Sequence, residues 1–264
     1  MLNNRILYIR GGLGDFLQYY DCIINNPSEQ YLIHMHYKNA KLIFDQLGIY
    51  NCFYYEFENI FSLAKQTEFI VKNLIQMENF KIYETPRAFY SKFNFGIESN
   101  LTAENLVNSF SNKKPIIGIH PFRSSFANSV YEIKNLPARI IPLSITKKII
   151  NNNNNYLIYG SKKELLEYGM QQEENIKFVC FDNILDSLST VKYCSSLIGL
   201  DSCFKSMSSM QKINTLCIIA DCEDEIRDSM FIKKYEEDKV MKVFKTKNIE
   251  QNQNEIIDFI KNNI

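Results

Sequence analysis

The sequence predicts an α/β protein built from doubly wound parallel sheets. The main observation is that short apolar runs alternate with longer segments of helical periodicity along the chain, which is the pattern of strand–helix–strand units. A second observation is that the alternation is interrupted by a polar stretch and then starts again, so we expect two such sheets. A third is a glycine-rich turn after the first apolar run, where α/β proteins usually have a ligand cleft.

Ten apolar runs have the length and composition of strands. Four precede the polar stretch, and the fourth of them is either a further strand of the sheet or an edge strand. Six follow the polar stretch. In chain order the runs are Ile6–Arg10, Tyr31–His36, Cys52–Phe57, Phe80–Thr85, Ile116–His120, Tyr156–Tyr159, Lys177–Phe181, Ser196–Leu200, Thr215–Ala220 and Val240–Phe244.

The polar stretch Ser99–Lys114 predicts the boundary between the two halves, because Asn, Ser and Lys cluster there before a proline. We therefore expect a first domain over residues 1–112 and a second over 113–248. The last segment, 249–264, has apolar residues at helical spacing and predicts an amphipathic helix.

Composition and charge exclude several classes of function. The chain has 264 residues, 45% of them hydrophobic and 23% charged, and its formal net charge is zero, so bulk electrostatics favours no nucleic-acid partner. No apolar run approaches the roughly 20 residues of a membrane span, and no signal peptide leads the chain. Seven scattered cysteines without C-x-x-C spacing favour free thiols. We expect a cytoplasmic protein with at most peripheral membrane association.

The loop after the first strand holds three glycines and a carboxylate. Gly11, Gly12 and Gly14 allow a sharp turn and a close approach of a ligand to main-chain N–H groups. The dinucleotide fingerprint is excluded because Leu17 stands at its third glycine, and a P-loop is excluded because Asp15 would repel phosphate. The loop suits a neutral, hydroxyl-bearing ligand. Asp15 can also act simply as the cap of the next helix.

This loop resembles the opening of the family 9 glycosyltransferases, the heptosyltransferase-like enzymes, with Gly12 in place of the usual alanine before Gly14-Asp15. The resemblance implies the GT-B fold, in which two Rossmann-like domains face a cleft and the C-terminal helix packs back on the N-terminal domain. It further implies that Asp15 is the general base for an acceptor hydroxyl, and that Gly11, Gly12 and Gly14 form the acceptor loop.

The start of the second half resembles the donor side of the same family. His120-Pro121 ends a strand, as in the family's His-Pro-Gly element, with Phe122 in place of the glycine. Lys134 opens a Lys-Asn-Leu-Pro segment that resembles a shortened Lys-x-Trp-Pro element. His120 is interpreted either as a satisfied core histidine or as a residue that lines the cleft.

Glycosyl transfer from a nucleotide sugar requires cations or hydrogen-bond donors beside the leaving group. Expelling a nucleoside diphosphate develops negative charge that a metal, cations or N–H groups can stabilise. No Asp-x-Asp metal motif follows a strand in the sequence, and His34 and His36 lack a third ligand, so we expect no metal. The candidate donor-binding residues here are His120, Arg123, Ser124, Ser125 and Lys134.

Two further segments resemble donor-binding elements. Asp201-Ser202 opens a helix, as in the family's Asp-Ser/Thr-Gly-x-x-His, and a helix N-terminus attracts pyrophosphate. Cys203 replaces the glycine of that element, Ser206 replaces its histidine, and Lys205 supplies positive charge beside the lost histidine. Asp201 can also be a helix cap.

The turn Gly160-Ser161 resembles the place where the nucleoside sits in the family. The resemblance as a whole implies an inverting, metal-independent glycosyltransferase. It would transfer a sugar from a nucleotide-diphosphate sugar, its co-substrate, to a glycan, glycolipid or other surface saccharide, without a cofactor. Two alternatives stay open: a non-catalytic nucleotide- or glycan-binding protein, and a fucosyltransferase-like enzyme. The sugar, the nucleotide and the oligomeric state are not predicted.

Overall fold

The structure is a computed structural model. It describes residues 6–11, 14, 17, 23, 30–35, 48, 52–56, 80–82, 93, 95–123, 139–220 and 235–264. The chain divides into two compact units, Met1–Ser91 and Lys92–Ile264. Each unit contains its own parallel sheet.

The sheet of the first unit has four strands in the order β3-β2-β1-β4, all parallel. These strands are β1 (Ile6–Gly11), β2 (Gln30–Met35), β3 (Cys52–Glu56) and β4 (Phe80–Ile82). The predicted strands of the first half are therefore confirmed.

The predicted acceptor loop begins at the carboxyl end of the central strand β1. Gly11 is the last residue of β1. Gly14, Leu17 and Ile23 are helical, and the last two are fully buried, so the helix predicted after the loop is present at these positions. Gly12 and Asp15 lie outside the described residues.

The second unit contains a sheet of six parallel strands in the order β10-β9-β8-β5-β6-β7. Its strands are β5 (Ile116–His120), β6 (Asn155–Tyr159), β7 (Ile176–Val179), β8 (Ser196–Leu200), β9 (Asn214–Ala220) and β10 (Met241–Thr246). Counted from β5, the order is 3-2-1-4-5-6, which is that of a Rossmann sheet. All six strands predicted in the second half are confirmed.

Six α-helices of the second unit lie within the described residues. They are α1 (Gly96–Asn108), α2 (Leu143–Ile149), α3 (Lys162–Tyr168), α4 (Ile184–Ser189), α5 (Cys203–Met210) and α6 (Gln253–Lys261). Strands β6 and β8 are buried along their whole length, as expected for parallel strands with both faces covered. None of the helices in the described part of the chain is long and apolar enough to cross a membrane.

The predicted boundary segment Ser99–Lys114 is mostly helical, because α1 covers its first ten residues. The two units separate before this helix, whereas the sequence placed the boundary at residues 112 and 113. Helix α1 buries Ser99 and Ala103, one turn apart, and Ser189 Oγ donates a hydrogen bond to the Ser99 carbonyl at 2.8 Å. A buried face made of such small residues has no apolar stripe, and for that reason the sequence pattern resembled a linker.

The predicted terminal helix is present as α6. Its buried side chains Ile256, Ile257 and Ile260 belong to the core of the second unit, and α6 packs on α2. Ser144 Oγ of α2 also donates a hydrogen bond to Gln253 Oε1 at 3.1 Å. The expected packing of this helix on the N-terminal domain stays a prediction.

Candidate functional site

The point where the sheet order reverses lies between β5 and β8. From β5 the chain continues to β6 and β7 on one side of the sheet, and it then crosses to β8 on the other side. In open α/β sheets the connections diverge at such a point and leave a crevice at the carboxyl ends of the two strands. This crevice is where a ligand site is expected in the second unit.

A glycine brings the two strands close together at this edge. Gly199 of β8 pairs with His120 of β5, and a Cβ atom added to Gly199 would lie 2.9 Å from the His120 carbonyl oxygen. Real Cβ atoms do not approach a backbone oxygen so closely, so a larger residue would push the strands apart. Gly199 therefore fixes the spacing of the two strand ends that carry the candidate residues.

Five of the predicted donor-binding residues meet at these strand ends. His120 and Arg123 come from the end of β5, and the other three come from the end of β8 and the first turn of α5. Hydrogen bonds or ion pairs join them. The five residues are His120, Arg123, Asp201, Ser202 and Lys205.

His120 is a buried residue that holds Ser202. Its side chain is 6% exposed, its ring centroid lies 4.6 Å from that of Phe204, and its Nδ1 atom lies 3.0 Å from Ser202 Oγ. Burial lowers the pKa of His120 to about 3, so the imidazole is neutral at physiological pH. Of the two interpretations of this histidine, the geometry favours the satisfied core residue.

The buried imidazole makes the stability of the second unit depend on pH. Because the pKa of His120 falls from 6.5 in the unfolded chain to about 3 in the fold, only the unfolded chain takes up this proton between those values. We expect the free energy of unfolding to fall by about 2 kcal/mol from this group between pH 6.5 and 5. Urea denaturation over this range checks the value. His120→Asn removes the group, and an unchanged slope in that variant would contradict the assignment.

Ser202, and not Asp201, is the cap of helix α5. Ser202 Oγ accepts a hydrogen bond from the Lys205 backbone N–H at 3.4 Å. The same hydroxyl can donate to His120 Nδ1, so one serine fixes the first turn of α5 against the end of β5. The interpretation of Asp201 as the cap is therefore wrong, and its carboxylate is available for other partners.

Asp201 pairs with two cations. Its Oδ1 atom lies 2.6 Å from Lys205 Nζ, and its Oδ2 atom lies 3.9 Å from Arg123 Nη2. The Lys205 side chain is 2% exposed, while those of Arg123 and Asp201 are 20% and 38% exposed. Burial alone would lower the pKa of Lys205, but the Asp201 carboxylate raises it above its ordinary value. These three side chains together carry one net positive charge beside a helix N-terminus, which favours an anion; the Glu236 carboxylate also acts on this region.

Two backbone hydrogen bonds join the residues that follow β5 to the segment before α2. The Arg123 N–H donates to the Arg139 carbonyl and the Ile141 N–H donates to the Pro121 carbonyl, each at 2.9 Å. Residues 124–138, which include Ser124, Ser125 and Lys134, lie outside the described residues.

Comparison with solved structures identifies the fold. The chain is similar to ADP-heptose LPS heptosyltransferase II of E. coli, with a TM-score of 0.55 and 12% identity over 97% of this chain and 98% of that one. It is also similar to a family 9 glycosyl transferase of Veillonella parvula, with a TM-score of 0.56 and 10% identity over 100% of this chain and 91% of that one. The fold is a glycosyltransferase fold. No protein-family model and no curated protein matches the sequence.

Within this glycosyltransferase fold, the predicted nucleoside-binding turn lies at the end of β6, beside β5. A Cβ atom on Gly160 would lie 2.7 Å from Cε2 of the buried Phe122 ring, so this packing requires a glycine. Ser161 caps α3, where its Oγ accepts from the Glu164 N–H and its own N–H donates to Glu164 Oε2. Both residues thus have structural roles, and their contact with a nucleoside stays a prediction.

The sequence-based reasoning missed two residues of this site. Gly199 fixes the spacing of β5 and β8, and Phe204 packs its ring between those of His120 and Tyr159, with both centroid distances 4.6 Å. A glycine inside an apolar strand is a known sign of close backbone approach, so Gly199 could have been found. Phe204 carried no such sign.

The described residues contain no group of three or more His, Cys, Asp or Glu side chains placed to hold a metal ion. Within this part of the chain, the positive charge of the site comes instead from side chains and from a helix end. His34 lies in β2, and His36 lies outside the described residues.

Proposed function

We propose that the protein is an inverting, metal-independent glycosyltransferase with the GT-B fold. The first unit is the acceptor domain in this proposal, and the second unit binds a nucleotide-diphosphate sugar. The acceptor is a glycan, a glycolipid or another surface saccharide. We further propose that the protein works in the cytoplasm with at most peripheral contact to a membrane.

The observation that carries this proposal is the cluster at the reversal point of the second sheet. Arg123, Ser202 and the first turn of α5 converge there at the ends of β5 and β8, with a net positive charge from the Arg123–Asp201–Lys205 group. A planar guanidinium and helix N–H groups suit the two phosphates of a nucleotide. The similarity to glycosyltransferases shows the fold alone, whereas this cluster supplies the reason for an anionic donor.

The proposed transfer uses the two units for different parts of one displacement. Asp15 takes the proton of the acceptor hydroxyl while the acceptor oxygen forms a bond to the anomeric carbon. The bond from that carbon to the diphosphate oxygen breaks on the opposite face, which inverts the configuration, and the nucleoside diphosphate leaves with the electron pair. Arg123 and the N-terminus of α5 stabilise the charge that develops on the leaving group, and Asp15 later releases its proton to solvent.

Calorimetric titration with UDP, GDP and ADP and their sugars tests the donor site, first with EDTA and then with added Mg²⁺. We expect one nucleotide to bind in EDTA. Release of the nucleoside diphosphate in the presence of acceptor saccharides then measures transfer. If none of the nucleotides binds, or binding requires Mg²⁺, the proposed donor site is wrong.

The Arg123→Ala variant is expected to bind that nucleotide about tenfold to a hundredfold more weakly, because it loses charge-assisted hydrogen bonds to phosphate. Calorimetry gives the affinity, and thermal unfolding shows whether the variant is folded. Lys242→Met is the matched control, since it removes one exposed positive charge near the amino end of β10. Equal affinities of the Arg123 variant and the control would contradict the assignment.

A second candidate function is a non-catalytic nucleotide- or glycan-binding protein on the same fold. The observation in its favour is the altered first turn of α5, where Cys203 and Ser206 replace the glycine and histidine of the family element. Ser206 is buried, and its Oγ donates to the Ser202 carbonyl at 3.4 Å, so its hydroxyl is engaged within the helix. Nucleotide binding without turnover across a panel of acceptors would favour this function.

A further inference from the structure

The buried lysine of the site occupies a position that is unfavourable for its charge. Lys205 is the third residue of α5, where the helix dipole opposes a cation. Its side chain is 2% exposed, and removing an ammonium from water costs several kcal/mol. A buried ion pair often contributes no more to stability than apolar residues of the same size. The stability of the fold therefore does not explain a lysine at this position.

The surroundings of Lys205 leave its charge directed at Asp201. Burial raises the pKa of both Cys217 and Tyr235, the neighbours that interact with the ammonium, to about 12, so both are neutral at physiological pH. Lys205 Nζ lies 2.6 Å from Asp201 Oδ1. Among the described residues, Asp201 is thus the charged partner of the ammonium.

The negative charge of Asp201 weakens anion binding at this site unless a cation balances it. Its carboxylate is 38% exposed and lies at the entrance to α5, 3.9 Å from Arg123. Without a second cation, Asp201 and Arg123 would neutralise each other. The pair would then carry no net charge, and its attraction for a phosphate would be weaker.

We propose that Lys205 is a positioning residue for the donor pyrophosphate, because it neutralises Asp201 and leaves the charge of Arg123 for the ligand. Lys205 touches no ligand in this role. Its ammonium binds one oxygen of Asp201, and the other oxygen lies 3.9 Å from the Arg123 guanidinium. The proposal rests on the proposed function of this site, since it requires an anion there.

The test separates charge balance from a structural role by means of a double variant. The variant Lys205→Met is expected to bind UDP, GDP, ADP or inorganic pyrophosphate about tenfold more weakly or worse, because the Arg123–Asp201–Lys205 group loses its net positive charge. Asp201→Asn/Lys205→Met removes both charges and is expected to regain most of this affinity. Lys242→Met is the control and is expected to bind like the wild type. Calorimetry gives each affinity, and urea unfolding gives each stability.

The outcomes are distinguishable. A Lys205→Met variant that binds like the wild type, or a double variant that binds as weakly as Lys205→Met while folded, overturns this inference and leaves the proposed function intact. Failure of the wild type to bind any of these anions overturns both. If Lys205→Met does not fold, Lys205→Gln replaces it, and the same loss of affinity is expected. The doubly neutral variant Asp201→Asn/Lys205→Gln is then the comparison.

Discussion

The Asp15→Asn variant is expected to transfer sugar about a hundredfold to ten-thousandfold more slowly than the wild type, which is the usual contribution of a general base. Its affinity for the donor nucleotide is expected to be unchanged, because the proposed phosphate-binding cluster belongs to the other unit. Asparagine keeps the size of the side chain and its hydrogen-bonding ability but cannot accept the proton. The variant therefore removes the proton acceptor with little change in shape.

A coupled assay for nucleoside diphosphate release measures the rate, and calorimetry measures donor affinity. Asp258→Asn is the matched control, since Asp258 is exposed on α6 and its replacement should change neither quantity. Turnover at the wild-type rate in Asp15→Asn would exclude Asp15 as the base. A parallel loss of donor affinity would instead assign it to the nucleotide site.

The Ser202→Ala variant is expected to lose about 2 to 4 kcal/mol of stability, because it removes the cap of α5 and leaves His120 Nδ1 buried without its partner. Donor affinity should fall as well, since the first turn of α5 is then no longer fixed. Urea unfolding and calorimetry measure the two effects. Ser202→Thr keeps the hydroxyl and should retain most of both.

Ser161→Ala is the matched control for this experiment. Ser161 also caps a helix, but its hydrogen bonds to the Glu164 backbone and side chain are exposed to solvent, so we expect a loss of only about 1 kcal/mol. The difference between the two serine variants measures the contribution of the buried imidazole. Equal losses would show that His120 does not depend on Ser202.

The strands were predictable from the sequence because each is an apolar run between polar segments. Helix α1 was not predictable in this way. Its buried residues Ser99 and Ala103 are small, and its exposed surface includes Ile97 and Leu101. The helix therefore has no clear apolar stripe. The likeness to family 9 glycosyltransferases, expected from four short motifs, is confirmed at the level of the fold by the similar structures. The roles of the individual site residues stay predictions.

Five residues of the cluster were predictable from the sequence, but their connections were not. Parallel strands end at one edge of a sheet, so residues that follow β5 and β8 had to meet there. Which of Asp201 and Ser202 caps the helix depends on backbone angles that the sequence does not specify. The pairing of Asp201 with Lys205 had a usable signal, because opposite charges four residues apart in a helical segment are neighbours. The burial of Lys205 had no such signal in the sequence.

The strand order of the second sheet has a consequence for how the chain folds. Strand β5 is made first but needs β8, which follows β6 and β7 in the chain, as its second neighbour. Contacts between residues so distant in sequence form slowly. During synthesis the first three strands of this unit can pair while the ligand site still lacks half of its residues. If the proposed donor site is correct, nucleotide should therefore bind only to chains that have passed this late step, and its binding would report the completion of folding.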